Sequence, residues 1–163
     1  MTTAKSLEGA NLVWQRVVNA VNTLSSSPIE KSAMLRELKK WLSTQKGNPK
    51  LQFCSFSDVT TDAQVVPEVS ASGATIYACY AKKQNTATDA YFKFNDSATV
   101  AGGGSGANVK VTVPLLVGND EVLLIFQPGL IFATGIIVAS ETTAAGGSDT
   151  TTGDGPNGFF IIG

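Results

Sequence analysis

The chain contains no histidine. That absence removes the commonest side chain that titrates near neutral pH and the commonest metal ligand, and it excludes serine–histidine and cysteine–histidine nucleophile pairs. Cysteine is nearly as scarce. Cys54 and Cys79 are too few for a disulfide framework and lack zinc-ligand spacing, so they read as buried, reduced thiols. No run approaches about 18 consecutive apolar residues, and the opening MTTAKSLEGANLVW has no contiguous apolar stretch ahead of a small-residue cleavage site. No membrane partner is expected, and the chain reads as made and folded in a cytosol. Charge is also thin, at 15% of residues, while Gly, Ala, Ser and Thr abound, which suits strands and turns rather than a disordered polyelectrolyte.

The charge that exists is divided. Residues 1–50 hold eight basic against three acidic side chains, a balance of +5, and the remainder holds four against ten, a balance of −6. Such asymmetry steers a basic end toward an acidic partner. The ordinary role of lysines on a helix, keeping its outer surface solvated, takes precedence over nucleic-acid binding, which is not expected.

Apolar spacing predicts two helices at the start. Leu7, Ala10, Trp14, Val17, Val18, Val21 and Leu24 recur at steps of three and four, with Gln15, Arg16 and Asn19 off the stripe. Ser25, Ser26 and Ser27 break the pattern, and Ser27-Pro28-Ile29-Glu30 restarts it: a serine cap, proline at the first helical position and a glutamate placed for a capping box. Met34, Leu35, Leu38, Trp41 and Leu42 form the second stripe, with Arg36, Lys39 and Lys40 outside it, until Gly47 and Pro49 stop the helix. These stripes suit a helical hairpin, docking on the rest of the chain, or contact with a neighbouring subunit. Packing within the chain is the ordinary outcome for an amphipathic helix.

From Leu51 the period becomes two. Ile76, Ala78 and Tyr80 fall on one face of a strand with Tyr77 and Cys79 on the other, Phe92 and Phe94 oppose Tyr91 and Lys93, and Val109, Val111 and Val113 alternate with Lys110 and Thr112. Val122 to Phe126 and Leu130 to Ser140 are apolar without alternation, as in strands covered on both sides, with Gln127-Pro128-Gly129 as the expected turn between them. Leu51 to Thr60 and Phe159 to Ile162 are further strand candidates. The expected fold class is α+β, with an N-terminal two-helix segment over residues 1–48 for attachment or packing. A mainly antiparallel β-sandwich domain over 49–163 follows it.

Three apparent motifs dissolve on inspection. Gly102 to Ala107 meets a relaxed dinucleotide pattern, but a strand-like VKVTV follows where a helix N-terminus should receive phosphate. Asp149 to Gly155 carries two carboxylates without calcium-loop spacing or the closing glutamate. Asn95-Asp96-Ser97 is a formal glycosylation acceptor that reads as a turn in a chain without a secretory signal. With the acids scattered through expected turns, neither catalytic residues nor a metal or cofactor site is expected.

The strand ATIYACYAK, the following AYFKFND, a small-residue loop, VPLLV, and EVLLIFQPGLIFATGIIVAS with its Thr-rich tail together resemble the β-sandwich proteins that build or decorate tailed-bacteriophage particles. The likeness covers about half of the chain and excludes the helices and the terminal FFIIG. It implies a noncatalytic virion structural protein of the capsid decoration or cement type, bound to the major capsid protein or another virion protein. Homo-oligomeric assembly and location in the virion, or in the host cytoplasm during assembly, follow from the same likeness. A head-to-tail, tail or fibre component is the alternative within assembly. A carbohydrate-binding module presenting Tyr77, Tyr80 or Tyr91 is the alternative outside it. The candidate partner interface is Trp14, Arg36, Lys39, Lys40 and Trp41, where apolar stripe and basic surface meet.

Overall fold

The structure, a computed structural model, describes residues 9–45, 48, 50–57, 64–65, 74–84, 87–97, 109–142 and 155–163. Two helices, α1 (Ala10–Leu24) and α2 (Pro28–Ser43), precede eight strands: β1 (Gln52–Phe56), β2 (Gln64–Val65), β3 (Ala74–Lys82), β4 (Ala90–Asp96), β5 (Val109–Leu115), β6 (Glu121–Phe132), β7 (Ile136–Glu141) and β8 (Asn157–Ile162). The strands form two antiparallel four-stranded sheets, ordered β1-β8-β3-β6 and β2-β7-β4-β5. The expected α+β class with an antiparallel sandwich is observed.

Each helix boundary has a local cause. Ser27 Oγ accepts the Glu30 amide at 3.4 Å, Pro28 opens α2, and the Thr44 hydroxyl and amide both donate to Trp41 O at its end. The buried stripe of α2 is Met34, Leu38, Trp41 and Leu42, as the spacing predicts. In α1 it runs through Val13, Val17 and Val21, one position round from the expected centre, because the helix turns its small β-branched side chains toward the sheet and leaves Trp14 at the margin.

Two cores result, and they make the molecule three-layered. Between the sheets, Cys54, Ile76, Cys79, Phe132, Phe160 and Ile162 meet Phe92, Phe94, Val113, Leu115, Ile136 and Val138. The ring of Phe92 lies 4.9 Å from Phe56 and 6.1 Å from Phe160, both stacked. On the other face of the first sheet, Ala78, Tyr80, Phe159 and Ile161 pack against the helical stripes. The β1-β8-β3-β6 sheet is therefore covered on both sides, which explains the unbroken apolar run Phe159-Phe160-Ile161-Ile162 in its interior strand β8. The helices α1 and α2 and the strands share one of the cores.

Two strand expectations are corrected. A bulge between Ile76 and Ala78 shifts the phase of β3, so Ile76 faces the other sheet with Cys79, while Ala78 and Tyr80 face the helices together with Tyr77. Gln127-Pro128-Gly129 is not the turn. Between the Ile125–Ala78 and Leu130–Ile76 partners, β6 carries four residues against one on β3, and the excursion is absorbed within the strand. Gly129 is needed there, because a Cβ would fall 2.2 Å from Thr75 Cγ2. The reversal comes at residues 133–135, which ends β6 and starts β7 at Ile136. Asp96 is the last residue of β4 rather than a turn, and its carboxylate accepts the amides of Ala133, Thr134 and Gly135 at 3.0, 2.8 and 3.4 Å. Gly102 to Ala107 and Asp149 to Asp154 lie outside the described residues.

Candidate functional site

The outer surface of the helical layer carries a groove of about 440 Å³ lined by Trp14 from α1 and by Leu35, Arg36, Lys39, Lys40 and Ser43 from α2. Helix geometry assembles it. Leu35, Lys39 and Ser43 follow one another at four-residue steps along one side of α2, with Arg36 and Lys40 one position round. Trp14 is half-buried beside them, and Lys39 Nζ stands 5.8 Å from the centre of its ring, within cation–π range. Leu35 and the indole supply an apolar floor, and three exposed cations supply the rim. Among the described residues, no carboxylate pairs with Arg36, Lys39 or Lys40.

Four of the five expected interface residues thus come together. The fifth does not. Trp41 is 4% exposed, with its ring 5.8 Å from that of Tyr77, on the face of α2 that covers the sheet. Its place in the stripe with Leu38 and Leu42 explains why: an indole among buried neighbours removes more apolar area from water inside than outside. Leu35 belongs to the groove floor, a role that its position at the edge of the apolar stripe did not disclose.

A smaller recess of about 100 Å³ lies where the turn between the helices meets the start of β6, lined by Ser26, Glu30, Lys82, Gly118, Asn119, Asp120 and Glu121. Glu121 accepts from Tyr80 OH at 2.5 Å and from Ser25 Oγ at 3.0 Å, and Lys82 Nζ donates to Ser26 Oγ at 3.1 Å. Burial, followed by the Glu121 carboxylate, pushes the Tyr80 phenol up, so it remains a donor. Burial works to raise the Glu121 carboxyl, but hydrogen bonds from Glu30, Tyr80 and Ser25 and the charge of Lys82 hold it below its ordinary value. Glu30 moves the other way, raised by its hydrogen bond to Glu121 and by the negative charge of the Glu121 carboxylate. These contacts fasten the helical turn to the sheet. Among the described residues, no group of three or more cysteine, aspartate or glutamate side chains is placed to hold a metal ion.

The tyrosines do not form a platform. Tyr80 is fully buried and Tyr77 packs in the core beneath the helices, whereas Tyr91 lies on the other sheet opposite Glu141 and Pro114. No described helix is long and apolar enough to cross a membrane. Compared with known proteins, the chain matches no family model, no curated protein and no solved structure.

Proposed function

We propose that this chain is a noncatalytic structural protein of a phage particle, of the capsid decoration or cement type, that attaches through the groove between α1 and α2. The observation that carries this reading is the groove itself. An apolar floor of Trp14 and Leu35 sits under Arg36, Lys39 and Lys40, which have no carboxylate partner among the described residues. Such a rim is complementary to an acidic partner with one apolar side chain to insert, and charge complementarity would set the approach while the indole supplies the contact area. The resemblance of the strand and loop residues to virion β-sandwich proteins supplies the particle, and the groove supplies the mode of attachment.

The test is occupancy. Wild-type protein and the Lys39→Glu/Lys40→Glu variant are mixed with purified phage capsids and co-sedimented over a range of salt concentrations. The variant should bind more weakly and lose part of the salt sensitivity, with its melting temperature unchanged because both side chains are exposed. Equal occupancy by the variant rejects the groove, and a wild-type protein that never sediments with particles rejects the virion reading.

A further inference from the structure

The four sheet edges are not alike. β1 has five residues and β2 has two, and β5 has seven but contains Pro114, which cannot donate to a neighbouring strand. The remaining edge, β6, is twelve residues long and begins Glu121-Val-Leu-Leu-Ile-Phe-Gln127, with a single charge and no proline before position 128. Its far end is covered, since Lys110 Nζ from β5 donates to Ile131 O at 2.7 Å. Its first half pairs with β3 alone among the described residues. A long apolar edge without the usual deterrents is a template for another strand.

We infer that β6 pairs antiparallel with β6 of a second copy of this chain, about a two-fold axis at Leu124, joining two four-stranded sheets into one. The direction of the peptide groups sets the register. Lys83 N donates to Asp120 O at 2.7 Å, and by alternation from this bond Val122 and Leu124 turn their peptide groups to β3, while Glu121, Leu123 and Ile125 turn theirs to the open edge. With the axis at Leu124, Leu123 meets Ile125, Val122 meets Phe126, and Glu121 meets the uncharged Gln127. Every pair is apolar or free of like charge, as a self-complementary interface requires. Both flanks are already apolar, with Val122, Leu124 and Phe126 beside the inter-sheet core and Leu123 and Ile125 beside the helical one, so each core continues into the other copy. Glu121 does not oppose this, because its carboxylate is held by Tyr80 and Ser25. The inference is independent of the virion reading and moves self-association away from Trp41, which is buried within the chain.

Sedimentation velocity of the full chain over a wide concentration range, with two sets of variants, decides the matter. The wild type should dimerise. Gln127→Glu places a carboxylate opposite Glu121 twice per dimer and should weaken association roughly fivefold, while Gln127→Lys at the same exposed position should not weaken it. Leu124→Cys should form a disulfide dimer on mild oxidation, because a residue on the axis at a non-hydrogen-bonded site faces its own copy at about 4.5 Å between Cα atoms. Leu123→Cys, which faces Ile125, should not. A monomer at every concentration overturns the inference. So does a dimer that responds equally to both Gln127 variants, or one in which Leu123→Cys cross-links in preference to Leu124→Cys.

Discussion

Lys93 on β4 and Glu141 on β7 form an ion pair in which both side chains are almost wholly removed from solvent. The register places Lys93 opposite Ala139 and Glu141 opposite Tyr91, so the pair runs diagonally across the ladder on the face away from the inter-sheet core. A buried pair gains little over apolar residues of similar volume, whereas one of its charges left alone is costly. Lys93→Met should therefore lower the unfolding free energy by about 3–5 kcal/mol, and Lys93→Met/Glu141→Met should recover most of that loss. Urea unfolding of the two variants separates these outcomes. Equal destabilisation by both would show that the cost does not come from leaving the Glu141 charge unpaired.

At Gly158, β8 leaves no room for a side chain against β3. A Cβ there would fall 1.9 Å from Tyr80 O and 2.7 Å from Phe56 Cζ, and the first of these is backbone in the middle of a sheet. No side-chain rotation relieves that overlap. Gly158→Ala should cost more than about 3 kcal/mol or abolish soluble expression, because β8 must move away from both of its neighbours. Thermal unfolding measures the cost, and a shift of only a few degrees would show that β8 has room to slide.

Asp96 predicts a dependence on pH. Burial alone would raise its carboxyl, but the amides of Ala133, Thr134 and Gly135 and the ammonium of Lys110, 3.1 Å away, bring it from an ordinary 3.8 down to about 2. A carboxylate depressed in the folded state contributes its full stabilisation above pH 3.8 and loses it as the pH falls through about 2. Asp96→Asn should be less stable than wild type by about 1 kcal/mol at neutral pH, solvent screening allowed for. The gap should close between pH 3.8 and about 2, which denaturant titrations across that range measure directly.

These sites mark where the chain could be read and where it could not. The helices were legible because Ser27, Pro28 and Glu30 act within one turn and because Met34, Leu38 and Leu42 keep a helical period. Local alternation likewise disclosed the Phe92 and Phe94 face of β4. Strand order was beyond reach, since nothing near Phe159 tells that this last segment inserts between β1 and β3, whose residues lie far away in sequence. The bulge at Tyr77 reversed the faces of Ala78 and Tyr80, because one extra residue changes the phase of everything after it. At the groove, the exposed cations were visible as the polar side of α2. Trp41 was not separable from Trp14 until the helices were docked, because the two indoles differ only in which side of the layer they occupy.

The last prediction concerns the helical layer. Removing residues 1–48 would uncover the face of the β1-β8-β3-β6 sheet that carries Ala78, Tyr80, Phe159 and Ile161, each now 0% exposed. It would also take Ser25 from Glu121 and leave Tyr80 beside open water. Each large apolar side chain on that face contributes about 1.5–3 kcal/mol through burial, which is a large part of the net stability of a domain this size. The truncated protein should therefore aggregate or lose cooperative unfolding rather than persist as a folded sandwich. A milder change serves where truncation gives no soluble material: Val17→Ala, at the centre of the α1 stripe, should cost about 2 kcal/mol, with the exposed Lys39 and Lys40 surface left intact. A soluble, cooperatively folding truncation would show that the helices are a separable module. Loss of particle binding on truncation could then be assigned to the groove rather than to collapse of the sheet beneath it.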